Sequence, residues 1–160
     1  NALGLRHAGF HAMDSLRTEK AYRAWGQDIT DQETPLEAGL RFAVAFDKKT
    51  DFIGKQALLR NCGNTQSKRL LVFTINDPEP LLLGDEPIYR NNHLVGRTTS
   101  GTYGHTLGRS VSMGYVECED GVDSEFIQTG SYEIELLARR FEANPSIRPP
   151  YDPEGLRVRM

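Results

Sequence analysis

Apolar and polar residues follow different periods in the two halves of the chain. Near the amino terminus the apolar positions lie three to four residues apart, a helical spacing that predicts an α-helix over residues 3–13. The residues that follow fit either a continued helix or a strand until turn-forming residues interrupt them near Gly26. Alternating apolar positions then predict a half-buried strand over residues 40–47, and a short helix is predicted over residues 54–61.

From Arg69 onwards the pattern is that of an all-β region. Branched and aromatic residues fill short segments that are separated by turn-forming residues. Asn91 and Asn92 lie between two such segments, and they predict a hairpin turn because asparagine tolerates positive φ. Short strands at this spacing indicate a small barrel or a sandwich. The predicted strands cover residues 69–75, 86–90, 93–100, 110–117, 131–137 and 139–145.

The glycine-rich residues 98–108 resemble a phosphate-binding loop in composition. They lead from one predicted strand to another rather than to the amino terminus of a helix, so a barrel turn is the preferred interpretation. Four prolines after residue 144 predict an extended tail. The change of pattern near residues 61–68 indicates a boundary between two parts, residues 1–61 and 62–160.

Composition narrows the classes of function. A chain of 160 residues with 38% hydrophobic and 26% charged residues can bury its own core without metal or disulfide staples. The net charge of −3 argues against nucleic acid as a partner, and no apolar run is long enough to predict a membrane span. The two cysteines match no zinc or redox spacing, which favours reduced thiols and a reducing compartment. The first residue is not Met, which suggests that the chain belongs to something longer.

Reaction motifs give little support for a self-contained enzyme. The sequence has no dinucleotide fingerprint, Walker loop, nucleophile elbow or H-E-x-x-H zinc site. His7 and His11 are four positions apart but have no third ligand nearby, so we assign no metal ligand and no catalytic residue. Trp25, the only tryptophan, fits either a core position or a ligand-stacking position. A mixed-charge cluster is typical of a solvated or ion-paired face, with a binding role as the alternative; its members are Asp14, Arg17, Glu19, Lys20 and Arg23.

Longer stretches of sequence carry a family resemblance. Residues 4–44, with the words SLRTEKAYRAWGQD and PLEAGL, followed by DFIGKQAL at residues 51–58, resemble the end of the folate-binding domain of the glycine-cleavage T-protein family. Within that family, this wording is most similar to dimethylglycine and sarcosine dehydrogenases. Residues 87–116, from PIYRNN to SMGYV, resemble the carboxy-terminal β-barrel of the same family. The resemblance covers nearly all of residues 3–159.

This resemblance implies a fold, a function and partners. The implied fold is α+β: the end of the T-protein folate-binding α/β domain at residues 1–61, then a small antiparallel β-barrel domain at residues 62–160. In the long dehydrogenases of the family, an amino-terminal FAD domain oxidises an N-methyl amine and tetrahydrofolate captures the one-carbon unit. The implied partners are folate and the amino-terminal flavin and folate-binding domains of the parent chain, in a bacterial cytoplasm or a mitochondrial matrix. The family's catalytic carboxylate would lie upstream, so we expect the isolated chain to be inactive.

The resemblance also implies candidate cofactor-binding residues. A folate site should pair an aromatic wall with cations for the acidic tail. Tyr151 and Arg157 correspond to an aromatic residue and a basic residue of the T-protein tail, with Arg159 as the alternative to Arg157. Trp25 is the candidate for stacking. Met13 occupies the position where many T-proteins have an arginine near the folate tail, and a methionine cannot make a bidentate contact with a carboxylate.

The sequence leaves two other functions as alternatives. The regulatory subunit of pyruvate dehydrogenase phosphatase resembles the same architecture, so a non-catalytic regulatory homologue is the first alternative. A stand-alone glycine-cleavage aminomethyltransferase is the second, and Met13 and the EKAYRAWG wording disfavour it.

Overall fold

Six antiparallel strands close into a barrel in the computed structural model, which describes residues 3–159. Around the barrel the order is β1, β4, β3, β2, β5 and β6, and β6 returns to pair with β1. This confirms the predicted α+β fold with a small antiparallel barrel. The strands are β1 (Lys68–Ile75), β2 (Pro87–Arg90), β3 (His93–Gly104), β4 (Arg109–Glu117), β5 (Tyr132–Leu136) and β6 (Arg139–Ser146).

The barrel core explains why the strand sequences are so apolar. Leu71, Phe73 and Ile75 alternate along β1, are fully buried, and belong to one apolar cluster with residues of the other strands. Their neighbours Leu70 and Val72 belong to a second buried cluster that includes side chains of β4 and Ala21 of the preceding segment. Because both faces of β1 are covered, this strand reads as a continuous apolar run.

The Asn91–Asn92 turn forms as predicted. Both residues have positive φ, 49° and 66°, and the paired residues Arg90 and His93 join β2 to β3 in a hairpin. The turn prediction for residues 98–108 is wrong in its first half. Residues up to Gly104 continue β3, and only the residues between Gly104 and Arg109 form the turn that leads to β4.

The amino-terminal segment, residues 3–67, contains α1 (Phe10–Glu19), a 3₁₀ helix (Arg41–Ala43) and α2 (Lys55–Asn61). The bounds predicted for the first helix, 3–13, are wrong, and His7 therefore lies before the helix. Gly9, in an extended conformation, precedes the first turn of α1. The helix buries polar residues on the barrel, so its apolar spacing did not mark its contact face.

The predicted strand over residues 40–47 is wrong, because the structure forms a 3₁₀ helix there and no strand pairs with it in the described chain. Phe42, expected to be half buried, is 84% exposed. The short helix predicted before residue 62 is confirmed as α2. A further helix, α3 (Ser124–Thr129), was missed; Asp123 begins it by accepting a hydrogen bond from the Phe126 amide at 2.7 Å.

The residues after β6, numbers 147–159, are called the tail here. The tail is not extended throughout as predicted, because it makes a turn near Asp152 and ends in a 3₁₀ helix, Arg157–Arg159. In the described range 3–159, no helix is long and apolar enough to cross a membrane. The division into residues 1–61 and 62–160 stays a prediction.

Candidate functional site

The carboxy-terminal half of α1 lies against β3, β4 and the turn between them. The Ser15 hydroxyl donates to the Tyr103 carbonyl at 2.8 Å. The Glu19 side chain is buried, and its Oε1 accepts from the amides of Thr106 and Leu107 at 2.8 and 3.0 Å. Because a buried carboxylate satisfies two backbone donors of the turn, these contacts fix the end of α1 on the barrel.

A buried ion pair holds the residues after α1 on β3. Arg17 donates to the Asp28 carboxylate at 2.6 Å, and the Asp28 side chain is completely buried. The same carboxylate accepts from the hydroxyls of Thr99 and Ser100, each at 2.6 Å, and from the Ala24 amide at 2.8 Å. A buried carboxylate with this many donors is fully compensated, so the loop that carries Trp25 has a fixed position.

The tail returns to the end of α1. The Tyr151 amide donates to the Glu19 carbonyl at 3.2 Å, and the Lys20 ammonium donates to both the carbonyl and the carboxylate of Asp152. Asp152 also accepts from the amides of Leu156 and Arg157. Burial acts to raise the pKa of Asp152, but the Lys20 bond and the two amide bonds outweigh it and lower that pKa below its usual value.

Tyr151 and Arg157 are brought together by this turn and are called the tail pair. The Arg157 guanidinium lies 5.9 Å from the centre of the Tyr151 ring. Within residues 3–159, Arg157 forms no ion pair with a carboxylate. Its charge is therefore available for an anionic ligand, and Arg159, two residues later, is also exposed.

Met13 and Trp25 do not belong to the tail pair. The Met13 side chain is 54% exposed. It lies six residues before Glu19 in α1, which is about 9 Å along the helix axis. The Trp25 side chain is 75% exposed, which excludes the core position and leaves its ring accessible. In the described part of the chain, no hydrogen bond, ion pair or ring contact joins either residue to the tail pair.

The structure also has an accessible cleft that the sequence did not predict. A cleft of about 480 Å³ lies between the residues that follow α1 and the tail, and it is called the Arg23 cleft. Lys20 and Arg23 line it, and both belong to the mixed-charge cluster that the sequence marks. The sequence alone could not separate members with a carboxylate partner, such as Arg17 and Lys20, from Arg23, which has none among the described residues. Among the described residues, no group of His, Cys, Asp or Glu side chains is arranged to hold a metal ion.

The structure is a barrel domain with an attached helical segment and a tail that returns to the end of α1. The family model described as the glycine cleavage T-protein C-terminal barrel domain matches residues 68–152, and the model described as the GCVT N-terminal domain matches residues 1–48. The chain therefore belongs to the glycine cleavage T-protein family. A solved structure, the glycine cleavage system aminomethyltransferase T from Bartonella henselae, superposes with a TM-score of 0.74 at 26% identity, over 89% of this chain and 38% of that one.

Curated relatives are bacterial and mitochondrial proteins. The chain is 43% identical over 157 residues to 4-methylaminobutanoate oxidase (formaldehyde-forming) of Paenarthrobacter nicotinovorans, covering 98% of this chain and 18% of that protein. It is 41% identical over 157 residues to the mitochondrial pyruvate dehydrogenase phosphatase regulatory subunit of Mus musculus, covering 91% and 18%. It is 34% identical over 158 residues to human mitochondrial sarcosine dehydrogenase, covering 98% and 17%. The chain thus spans less than a fifth of the length of these relatives.

Proposed function

We propose that this chain is the carboxy-terminal part of a tetrahydrofolate-binding module in a flavin-dependent enzyme that oxidises an N-methylated amino acid, with sarcosine or dimethylglycine as the expected substrate. Sarcosine and dimethylglycine dehydrogenases are among the relatives, at 33–38% identity. The parent protein would act in the mitochondrial matrix or in a bacterial cytoplasm. The isolated chain would be inactive, because its described residues supply binding groups and no assigned catalytic group.

The observation that carries the proposal is the return of the tail to the end of α1. Folate combines conjugated rings with carboxylates, so its site needs aromatic surface and a free cation. Arg157 is such a cation, and it is held over the Tyr151 ring by a turn that the Lys20–Asp152 ion pair stabilises. These residues fit the acidic tail of the cofactor.

Within the proposed module each of these side chains has a simple role. Arg157 binds a carboxylate of the folate tail, and the Tyr151 ring limits where the guanidinium can move. The exposed Trp25 ring offers a flat apolar surface, and Met13 offers an apolar contact without charge. When bound, tetrahydrofolate supplies the amine groups that accept the one-carbon unit, while an FAD in an amino-terminal domain of the parent accepts the electrons.

The replacement Arg157→Ala in the complete parent protein tests the proposal. A partly exposed charge-assisted contact contributes about 1–3 kcal/mol, so tetrahydrofolate affinity should fall between about fivefold and somewhat over a hundredfold. Flavin reduction by the amine should stay near normal, since the tail pair acts only on folate. Calorimetry and stopped-flow spectroscopy measure the two quantities separately.

Arg159→Ala is the matched control, because it removes the same charge two residues later. If Arg159→Ala lowers folate affinity and Arg157→Ala does not, the correspondence with the family's tail has slipped by two residues. If neither replacement changes folate affinity, the tail is structural and the assignment of the tail pair is wrong.

A non-catalytic regulatory role is the second candidate. The specific observation in its favour is the 41% identity to the mouse regulatory subunit, which exceeds the 34% identity to human sarcosine dehydrogenase. The two candidates differ in chemistry, because only the enzyme should reduce its flavin when sarcosine or dimethylglycine is added. A complete protein that holds no flavin and oxidises neither amine would favour the regulatory role.

A further inference from the structure

The Arg23 cleft lies beside the tail pair but is not formed by it. Its walls come from the residues after α1, from the 3₁₀ helix region and from the tail, and neither Tyr151 nor Arg157 lines it. Three cationic side chains line it, Lys20, Arg23 and Arg148, and no acidic residue is among its described lining residues. A cleft with cations and no lining carboxylate attracts anions.

Two of the three cations already have a carboxylate at ion-pair distance. The Lys20 ammonium lies 3.0 Å from the Asp152 carboxylate, and the Arg148 guanidinium lies 3.1 Å from that of Glu154. Arg23 differs, because within residues 3–159 no carboxylate lies at ion-pair distance from it. The cleft therefore offers about one unbalanced positive charge, which suits a monoanion better than a dianion.

Arg23 is held in place by the backbone rather than by an acid. Its Nε donates to the Ala38 carbonyl at 3.0 Å and its Nη1 donates to the Ala21 carbonyl at 2.7 Å. Its Nη2 lies next to Gly39, which also lines the cleft, and an added Cβ there would stand only 2.9 Å from that nitrogen. The guanidinium is thus positioned before any ligand arrives, with one nitrogen at the cleft wall.

The surroundings of Arg23 increase the benefit of a bound anion. Burial lowers the pKa of Arg23, although the nearby Tyr115 and Asp28 act against this change. A cation that has lost part of its hydration gains more from an anionic partner than a fully solvated one.

The rest of the cleft is apolar and accessible. The Phe42 and Tyr22 side chains line it while remaining 84% and 56% exposed, and two prolines of the tail, Pro149 and Pro153, complete the wall. Exposed aromatic rings around a cation fit a ligand that has an apolar body and a single charged end. Inorganic phosphate would leave these rings in water.

We infer that the Arg23 cleft is a binding site for an amphipathic monocarboxylate, separate from the proposed folate site, in which Arg23 binds the carboxylate and Phe42 and Tyr22 contact the apolar body. A guanidinium presents its donors in a plane that matches a carboxylate, which favours this anion over a spherical one. The site does not depend on folate binding or on the activity of the parent protein.

Calorimetric or NMR titration of the complete protein with benzoate, in low-salt buffer, tests the inference. Benzoate should bind with a dissociation constant on the order of 1 mM, as expected for a ligand of so few atoms. Benzamide has nearly the same shape without the charge and should bind at least about tenfold more weakly, since it loses the contact with the guanidinium. Equal binding of the two probes, or no binding of benzoate, would overturn the inference.

Two variants locate the site. Phe42→Ala should weaken benzoate binding by about fivefold to tenfold, because it removes one aromatic wall, and it should not unfold a protein in which this ring is exposed. Leu83→Ala is its control, because Leu83 is 70% exposed and does not line the cleft. Arg23→Lys keeps the charge and removes the planar fork, and it should also weaken binding while circular dichroism stays unchanged. If Phe42→Ala leaves affinity unchanged, benzoate binds elsewhere and the inference fails.

Two competition experiments separate this site from the alternatives. Saturating tetrahydrofolate should leave benzoate affinity unchanged; full competition would show that the cleft belongs to the folate site and would overturn the claim of a separate site. Inorganic phosphate should not displace benzoate at equal concentration. Equal or tighter binding of phosphate would show a simple anion site without a place for the apolar body.

Discussion

The barrel and the amino-terminal segment place their large apolar side chains in opposite ways. Along β1, Leu71, Phe73 and Ile75 are fully buried inside the barrel. In the segment, Trp25 is 75% exposed and Phe42 is 84% exposed. The barrel therefore has a hydrophobic core of its own, whereas the segment gains little from apolar burial.

The segment is held instead by a few buried polar contacts. The Asp28 carboxylate binds Arg17 and accepts hydrogen bonds from two hydroxyls of β3. The Glu19 carboxylate accepts hydrogen bonds from two backbone amides of the turn after β3. Each of the bonds to β3 and to the turn after it links residues more than 70 positions apart in the chain. The two regions should therefore respond differently to substitution. Substitutions in the barrel should act through packing, and substitutions in the segment should act through unpaired charge.

The largest expected effect comes from two matched phenylalanines. Phe73→Ala should lower the free energy of unfolding by about 3–5 kcal/mol, because it leaves a cavity in the closed barrel. Phe42→Ala should change it by less than about 0.5 kcal/mol, because that ring is in water. Urea denaturation followed by circular dichroism gives both values. Similar losses for the two variants would contradict the contrast between the regions.

A smaller and more local effect is expected at the buried ion pair. Asp28→Asn keeps the shape of the side chain but removes the fully buried partner of Arg17, which keeps only the partly exposed Asp14, and this should cost about 3 kcal/mol. Hydrogen exchange should show lost protection in the residues after α1, while the amide of Leu71 in the barrel is less affected. Asp85→Asn is the control, because the Arg97–Asp85 pair is exposed and should contribute less than about 1 kcal/mol. Equal loss of protection in both regions would mean that they unfold as one unit.

The same contrast explains how much of the fold was predictable from the sequence. The barrel strands were predicted closely, because each strand lies against neighbours on a buried face and its apolar residues report that face. The strand predicted over residues 40–47 failed for the opposite reason. Its alternating apolar residues have no partner strand in the described chain, and Phe42 faces water.

The first helix shows a related limit. Its apolar positions predicted a helix over residues 3–13, but the face of α1 that lies on the barrel carries Ser15, Thr18 and Glu19. Hydrophobic periodicity cannot locate a face that is held by hydrogen bonds. The capping residue Asp123 of α3 was a usable signal, since an aspartate before a short apolar run is a common helix start, and it was overlooked.

The candidate folate-binding residues came only from the family resemblance, and their binding role stays a prediction. The resemblance of the tail to the T-protein family indicated Tyr151 and Arg157, and the structure brings these two side chains together. No local pattern could show that Lys20 pairs with Asp152, 132 positions away, or that Arg23 has no acidic partner in the described chain. Long-range pairing of charges depends on the folded chain, and it decides which cations are free to bind a ligand.

The smallest expected effect concerns pH and is confined to the tail. The pKa of Asp152 is lowered in the folded protein, so this carboxylate stabilises the turn fully above its ordinary pKa of 3.8, and the contribution is lost as the pH falls through the lower folded value. Hydrogen exchange of the Leu156 and Arg157 amides, which donate to Asp152, should therefore be constant from pH 7 to about pH 5 after correction for the intrinsic rate, and protection should fall severalfold below about pH 4. In the Asp152→Asn variant these amides should exchange faster at neutral pH and should lose the acid dependence, while the Leu71 amide of the barrel reports that global stability is unchanged. If protection of the tail amides falls only together with that of Leu71, the tail has no separate acid transition, and the Lys20–Asp152 pair does not control how the tail pair is held.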